Sequence, residues 1–351
     1  MSKNKSEAPE KPKSESIRGA VGGQAVIEGV MMKTKDTIAI AVRRENGEIV
    51  KKIKPFKSIK EKSKILNIPI IRGFVNFIEM LSMSMSTLNE SADMLGLDEE
   101  FNKGKKEKEN ENEKENKEKK SSAVLMASII GTVLGLLMSF GLFFFLPTFI
   151  GNIIKTNFTQ IEKMGWLISI IEGVTRFAIF VAYILLVTLI PDIKRTFQYH
   201  GAEHMSVFCC EAEEELTVEN ARKHSRFHPR CGTSFMIVMM IIGIIISALI
   251  PTSFGFWLRL GVKFAIFPFV IGIGYEFIKY AGKHDSVFVK IISAPGIWIQ
   301  RLTTKKPDDR QLEVALVSLR IALKIDSIDT VEEPEVIEVI EETEVAENAE
   351  Q

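Results

Sequence analysis

The chain alternates between long apolar blocks and blocks of charge. Four runs carry almost no ionised side chain: Ser121 to Ile154, Trp166 to Ile190, Gly232 to Ile250 and Leu258 to Ile278. A helix of roughly 20 apolar residues crosses a hydrocarbon layer of about 30 Å, so each run predicts a membrane span. In the first, the part up to Leu146 is long enough by itself, with Pro147 marking the exit. Glu172 and Arg176 lie one helical turn apart in the second, where they can neutralise each other. The fourth carries Lys263 near one end and Glu276 near the other.

The pattern before these runs is different. Between Ala20 and Phe56 short strand-like stretches flank Asn46-Gly47, a strong local sign of a hairpin, which predicts a small β element over 20–60. Phe74, Phe77, Ile78, Leu81, Met85 and Leu88 then recur at helical spacing, with Arg72, Asn76, Glu79 and Glu90 on another face. That predicts an amphipathic helix over 65–97, lying in the interface or packed on the bundle. Residues 98–120 mix lysine, glutamate and asparagine with almost no apolar side chain, as a solvated linker does. A lysine- and glutamate-rich head over 1–19, with no signal-peptide pattern, and an acidic tail over 325–351 are expected to be disordered. The remainder divides into a first transmembrane hairpin over 121–190, a polar connector over 191–233, a second hairpin over 234–280, and cytoplasmic amphipathic helices over 281–324. Asp308 or Asp309 can cap the last of these.

The fold class is therefore mainly α: a polytopic membrane protein with about four transmembrane helices, a small N-terminal β element and cytoplasmic amphipathic helices. Composition agrees, since 351 residues at 46% hydrophobic and 26% charged, segregated into blocks, do not make one soluble globule. The formal net charge is zero and gives no reason to expect nucleic acid. The connector 191–233 holds Lys194, Arg195, Arg222, Lys223, Arg226 and Arg230, against Lys155 and Lys163 between the first two spans. By the positive-inside rule the connector and both termini face the cytoplasm. A shared pattern, Arg176-Phe-Ala-Ile-Phe180 and Lys263-Phe-Ala-Ile-Phe267, is a faint internal echo between the two hairpins.

Candidate chemistry collects in the connector. It holds four of the five histidines and all three cysteines. His200, Glu203 and His204 read H-x-x-E-H, an inverted zincin motif in which two imidazoles a turn apart face one ion and the carboxylate serves as general base. This geometry requires the second span to continue past Pro191 as a helix. A third ligand can come from Glu211, on the same stripe, or from the cluster His224, His228 and Cys231, itself an i, i+4 histidine pair followed by a thiol. The site expected is mononuclear, for a divalent metal of zinc type, with Glu203 catalytic. Cys209 and Cys210 read as packing residues. Glu276, His284 and Glu28 are secondary candidates. Expected partners are the lipid bilayer and an unidentified substrate, with a homo-oligomer left open.

GGQAVIEGVMM, NESADMLG, YHGAEH, FHPRCGTSF, the late APG and LTTKKPDDRQLEVA together resemble the YqhQ-like family of bacterial membrane proteins, over about Ile17 to Leu323. The resemblance implies a metal-dependent enzyme of uncharacterised activity resting on His200, Glu203, His204, His228 and Cys231. The expectation is a membrane-bound, metal-dependent hydrolase. An ion transporter or metal sensor, and a non-catalytic scaffold with dispersed histidines, are the alternatives.

Overall fold

The computed structural model describes residues 19, 21–96, 130–158, 164–281, 284 and 286–326. The expected linker over 98–120 lies outside the described residues, as do nearly all of the head and tail.

Four strands, β1 (Gly22–Val26), β2 (Gly29–Lys33), β3 (Thr37–Arg43) and β4 (Ile49–Pro55), form an antiparallel sheet in sequence order. The β3–β4 turn is the one expected. Gly47 adopts φ of 88°, which glycine reaches without steric cost, and its N–H donates to the Arg44 carbonyl at 2.9 Å. β3 reads TIAIAVR and is buried on both faces. Its Ile38, Ile40 and Val42 meet Met83, Met94 and Leu95 of α1 (Ile71–Leu95), whereas Ala39 and Ala41 face α4 (Pro191–Glu211) and α9 (Asp309–Ala322). Alanine there lets a helix approach closely enough for Ser318 to donate to the Ala39 carbonyl at 3.0 Å. The β element is thus the middle layer of a lobe rather than a separate unit. β4, an outer strand, carries Lys51, Lys52 and Lys54, and charge of this kind discourages pairing with another chain.

α9 is held by a capping box, in which Asp308 accepts from the Gln311 N–H at 2.8 Å and Gln311 accepts in return from Asp308 at 3.0 Å. It is core rather than surface: Leu312, Ala315, Leu316, Leu319 and Ala322 pack in one cluster with Tyr199, Ala202, Met205 and Cys209 of α4.

Below the lobe stand α2 (Ile130–Asn157), α3 (Gly165–Val187), α6 (Gly232–Ala248) and α7 (Phe256–Ala281). Among the described residues three helices, α2, α3 and α7, are long and apolar enough to cross a membrane. α6, expected as the remaining span, is an apolar helix of 17 residues packed against α3, α7 and α8 (Val287–Thr303). Three local expectations are corrected. Pro147 does not end α2, because a wide turn over Gly141–Phe145 carries the helix past it to Asn157. Proline has no N–H for the Phe143 carbonyl four residues back, and Arg176 donates to that carbonyl instead at 2.8 Å. Arg176 is therefore not the partner of Glu172, which binds Lys263 and Arg259. Finally, α3 does not run into α4: it stops at Val187, and Ile190 is extended before Pro191 opens the new helix.

Candidate metal centre

The junction of lobe and bundle gathers the connector's histidines. α4 presents His200 and His204 one turn apart, their rings 4.5 Å between centroids. Cys231 is the residue before the first turn of α6. One ligand atom from each of His200, His204 and Cys231 lies within 4.8 Å of the other two. All three are shielded, with His204 and Cys231 buried.

Main-chain carbonyls fix how the two imidazoles present themselves. His200 Nδ1 lies 2.9 Å from the Thr303 carbonyl, and His204 Nδ1 lies 2.5 Å from the Arg226 carbonyl. A carbonyl can only accept, so each Nδ1 carries the proton and each Nε2 keeps its lone pair. The His200 Nε2 lone pair faces Cys231 Sγ at 3.2 Å. Ligands about 2.0–2.3 Å from a tetrahedral zinc ion stand roughly 3.5 Å apart, so the pair is spaced to share one ion. Carbonyls that fix the tautomer are the usual outer support of metal-bound histidine. On these observations the residues fit a divalent ion.

Glu203 is buried beside His204, its Oε2 3.5 Å from His204 Nε2. Burial pushes its carboxyl above the usual carboxylate range, opposed by His200, His228 and the Gly23 N–H of β1. Burial likewise holds His204 and His228 below the ordinary imidazole value. Close packing keeps α4 in place: a Cβ added at Gly201 would stand 2.2 Å from the Lys305 carbonyl oxygen.

His228 takes a different part from the one expected of a ligand. Its Nδ1 accepts the Arg230 N–H at 3.3 Å, which leaves its proton on Nε2, and that buried atom has no hydrogen-bond partner, Glu211 Oε2 lying 3.6 Å away. Gln300 of α8 clamps the same residue through both its N–H and its carbonyl, each at 2.7 Å. Glu211 binds Arg230 as well, and is not among the three converging atoms. His224 stands apart: α5 (Val218–Arg222) ends before it, so it forms no helical pair with His228, and its Nε2 meets Glu214 at 3.1 Å. His224, Glu214 and Cys209 also bring ligand atoms within 4.8 Å of one another; burial pushes the Cys209 thiol up, and its Sγ donates to the Glu215 carbonyl at 3.5 Å. Cys210 is also buried, its thiol pushed up to about 11, as a packing cysteine should be.

The secondary candidates are structural ties. Glu276 forms a fork with Arg72 of α1. Glu28, in the β1–β2 turn with φ of 51°, accepts from Arg195 and from the Tyr199 hydroxyl. His284 stacks on Tyr280 at 4.1 Å. The sequence pattern missed Gln300, although a lone amide in the apolar run IWIQRL was a signal. It also missed Thr303 and Arg226, which act through main-chain atoms.

The family described as "Protein of unknown function (DUF1385)" matches residues 68–325. The chain is similar to "Uncharacterized protein YqhQ" of Bacillus subtilis (strain 168), at 35% identity over 315 residues, covering 88% of this chain and 94% of that relative. No solved structure matches it.

Proposed function

Since the chain belongs to the YqhQ-like family, DUF1385, we propose that it is a membrane-embedded, metal-dependent hydrolase in which His200, His204 and Cys231 hold a divalent ion of zinc type. The observation that carries this reading is the pair of carbonyl-fixed imidazoles, each with its Nε2 lone pair kept for the side where Cys231 Sγ lies. Held by these three residues, such an ion would supply Lewis-acid polarisation to a substrate. The chain's own residues do the rest. Glu203, buried beside His204, takes a proton from the attacking group and returns it to the leaving group. His228, clamped through its main chain by Gln300, orders the loop that carries Cys231. Lysine and arginine in the connector favour a cytoplasmic metal centre with both termini on that side, and α6 serves as a shorter fourth membrane segment.

The test is metal analysis of the purified full-length protein beside a His200→Ala, His204→Ala variant. One divalent ion per wild-type chain and a near-complete loss in the variant are expected. Equal metal content in both overturns the proposal.

A further inference from the structure

A second buried polar cluster lies at the far end of the bundle. α3 separates the two: Gly165, its first residue, packs against Thr252 in the α6–α7 connection, while the metal-centre helix α4 follows its other end. Its 23 residues span about 34 Å. Around Thr252 the bundle buries Glu172, Arg259 and Lys263 almost completely. Glu172 receives both cations, Arg259 through Nη1 at 3.1 Å and Lys263 through Nζ. Among the described residues of α2, α3, α6 and α7 the other carboxylate is Glu276, and Arg72 occupies it at the opposite end. Two buried cations therefore share one carboxylate.

Arg259 shows where the imbalance leads. It is 4% exposed, yet its Nε and Nη2 have no hydrogen-bond partner. These two nitrogens form one edge of the guanidinium, the fork that binds two oxygens of a carboxylate or phosphate side by side. A buried donor without a partner is costly, and more so when charged. Arg259 also lines a recess with Thr148, Asn152, Lys155, Thr252 and Phe256, which has room for about one water-sized group. Asn152 offers an amide donor at its wall, and Lys155, whose Nζ donates to the Thr252 carbonyl, places a positive charge there. The first turn of the 26-residue α7, where the Arg259 N–H donates to the Gly255 carbonyl at 3.0 Å, adds the positive end of its dipole.

We propose that this recess is an anion site for a phosphate group, which seats one oxygen against the Nε/Nη2 edge of Arg259 while the remainder of the ligand stays at the mouth beside Asn152 and Lys155. The phosphate can belong to a phospholipid headgroup in the adjoining leaflet or to free inorganic phosphate. The site is independent of the metal centre and involves no bond making or breaking.

Full-length protein is reconstituted in phosphatidylcholine nanodiscs and compared with Arg259→Gln and Asn152→Leu. Asn152→Leu narrows the mouth and leaves every charge pair intact, so it decides the matter if loss of Arg259 prevents folding. One arm titrates inorganic phosphate and reads bound radiolabel. The other includes phosphatidic acid in the nanodisc and reads retained lipid by native mass spectrometry. Saturable binding in one arm, weakened roughly tenfold or more in the variants, is expected from loss of a charged hydrogen bond. The arm that responds identifies the source. Absence of saturable binding in both arms, or binding unchanged by Asn152→Leu, overturns the proposal.

Discussion

The two buried clusters at opposite ends of α3 differ in which atoms are left over. At the lobe end, carbonyls occupy the protons of His200 and His204, and lone pairs remain. At the far end, Glu172 occupies Lys263 and one nitrogen of Arg259, and N–H donors remain. Lone pairs suit a cation, and spare donors suit an anion. The comparison teaches that the sign of a ligand is set by the unused valences of the surrounding network, which residue type alone does not reveal.

The largest effect is expected from breaking the far cluster. Glu172→Gln leaves Arg259 and Lys263 buried without a counter-charge and should cost about 3–5 kcal/mol, read as a lowered thermal midpoint in detergent. A Glu172→Gln, Lys263→Met double variant should recover part of that loss. Equal midpoints for wild type and Glu172→Gln would show that the cations are matched elsewhere.

Next comes the fit at the lobe end. Gly201→Ala drives a methyl against the Lys305 carbonyl oxygen, at an expected cost of about 1–3 kcal/mol for overpacking. Because Gly201 sits between His200 and Glu203, bound metal should fall as α4 moves. Metal content unchanged in a destabilised Gly201→Ala protein would separate the packing from the site.

Gln300→Ala removes the amide that holds both main-chain groups of His228 and also donates to Ser234 Oγ. Leaving a buried partner unsatisfied costs about 1–3 kcal/mol. Hydrogen exchange should quicken over 226–231 in this variant and stay unchanged in the far cluster.

The smallest effect concerns a third charged contact, between sheet and α1. Burial acts to raise the Glu90 carboxyl, but bonds from Lys54 and Ser86 with the charge of Lys52 outweigh it and leave the carboxyl below its ordinary value. A carboxyl lowered on folding stabilises above its unfolded value of roughly 4.3 and loses that contribution as pH falls through its folded value. Wild type should lose stability below about pH 4 more steeply than Glu90→Gln. Parallel acid curves for the two would remove Glu90 from the account.

Local signals carried well from sequence to structure. Asn46-Gly47 produced the turn, Asp308 produced the cap, and the H-x-x-E-H spacing put His200 and His204 on one face because α4 is a regular helix through both. Readings that depended on tertiary context carried less well. His224 and His228 looked like a second helical pair, but α5 ends at Arg222 and Glu214 captures His224. Arg176 looked like the partner of Glu172, until Pro147 left a carbonyl that only a donor from another helix could fill. Thr303 and Arg226 contribute oxygens that every residue possesses, so no letter in the sequence could mark them.

Cobalt(II) substitution reads the metal ligands themselves, since a thiolate bound to cobalt gives an intense near-ultraviolet charge-transfer absorption. This band is expected in the wild-type protein and in a Cys209→Ala, Cys210→Ala variant, with its loss in Cys231→Ser. A band that survives Cys231→Ser, or that disappears when Cys209 and Cys210 are replaced, would contradict the assignment of His200, His204 and Cys231 as the metal centre.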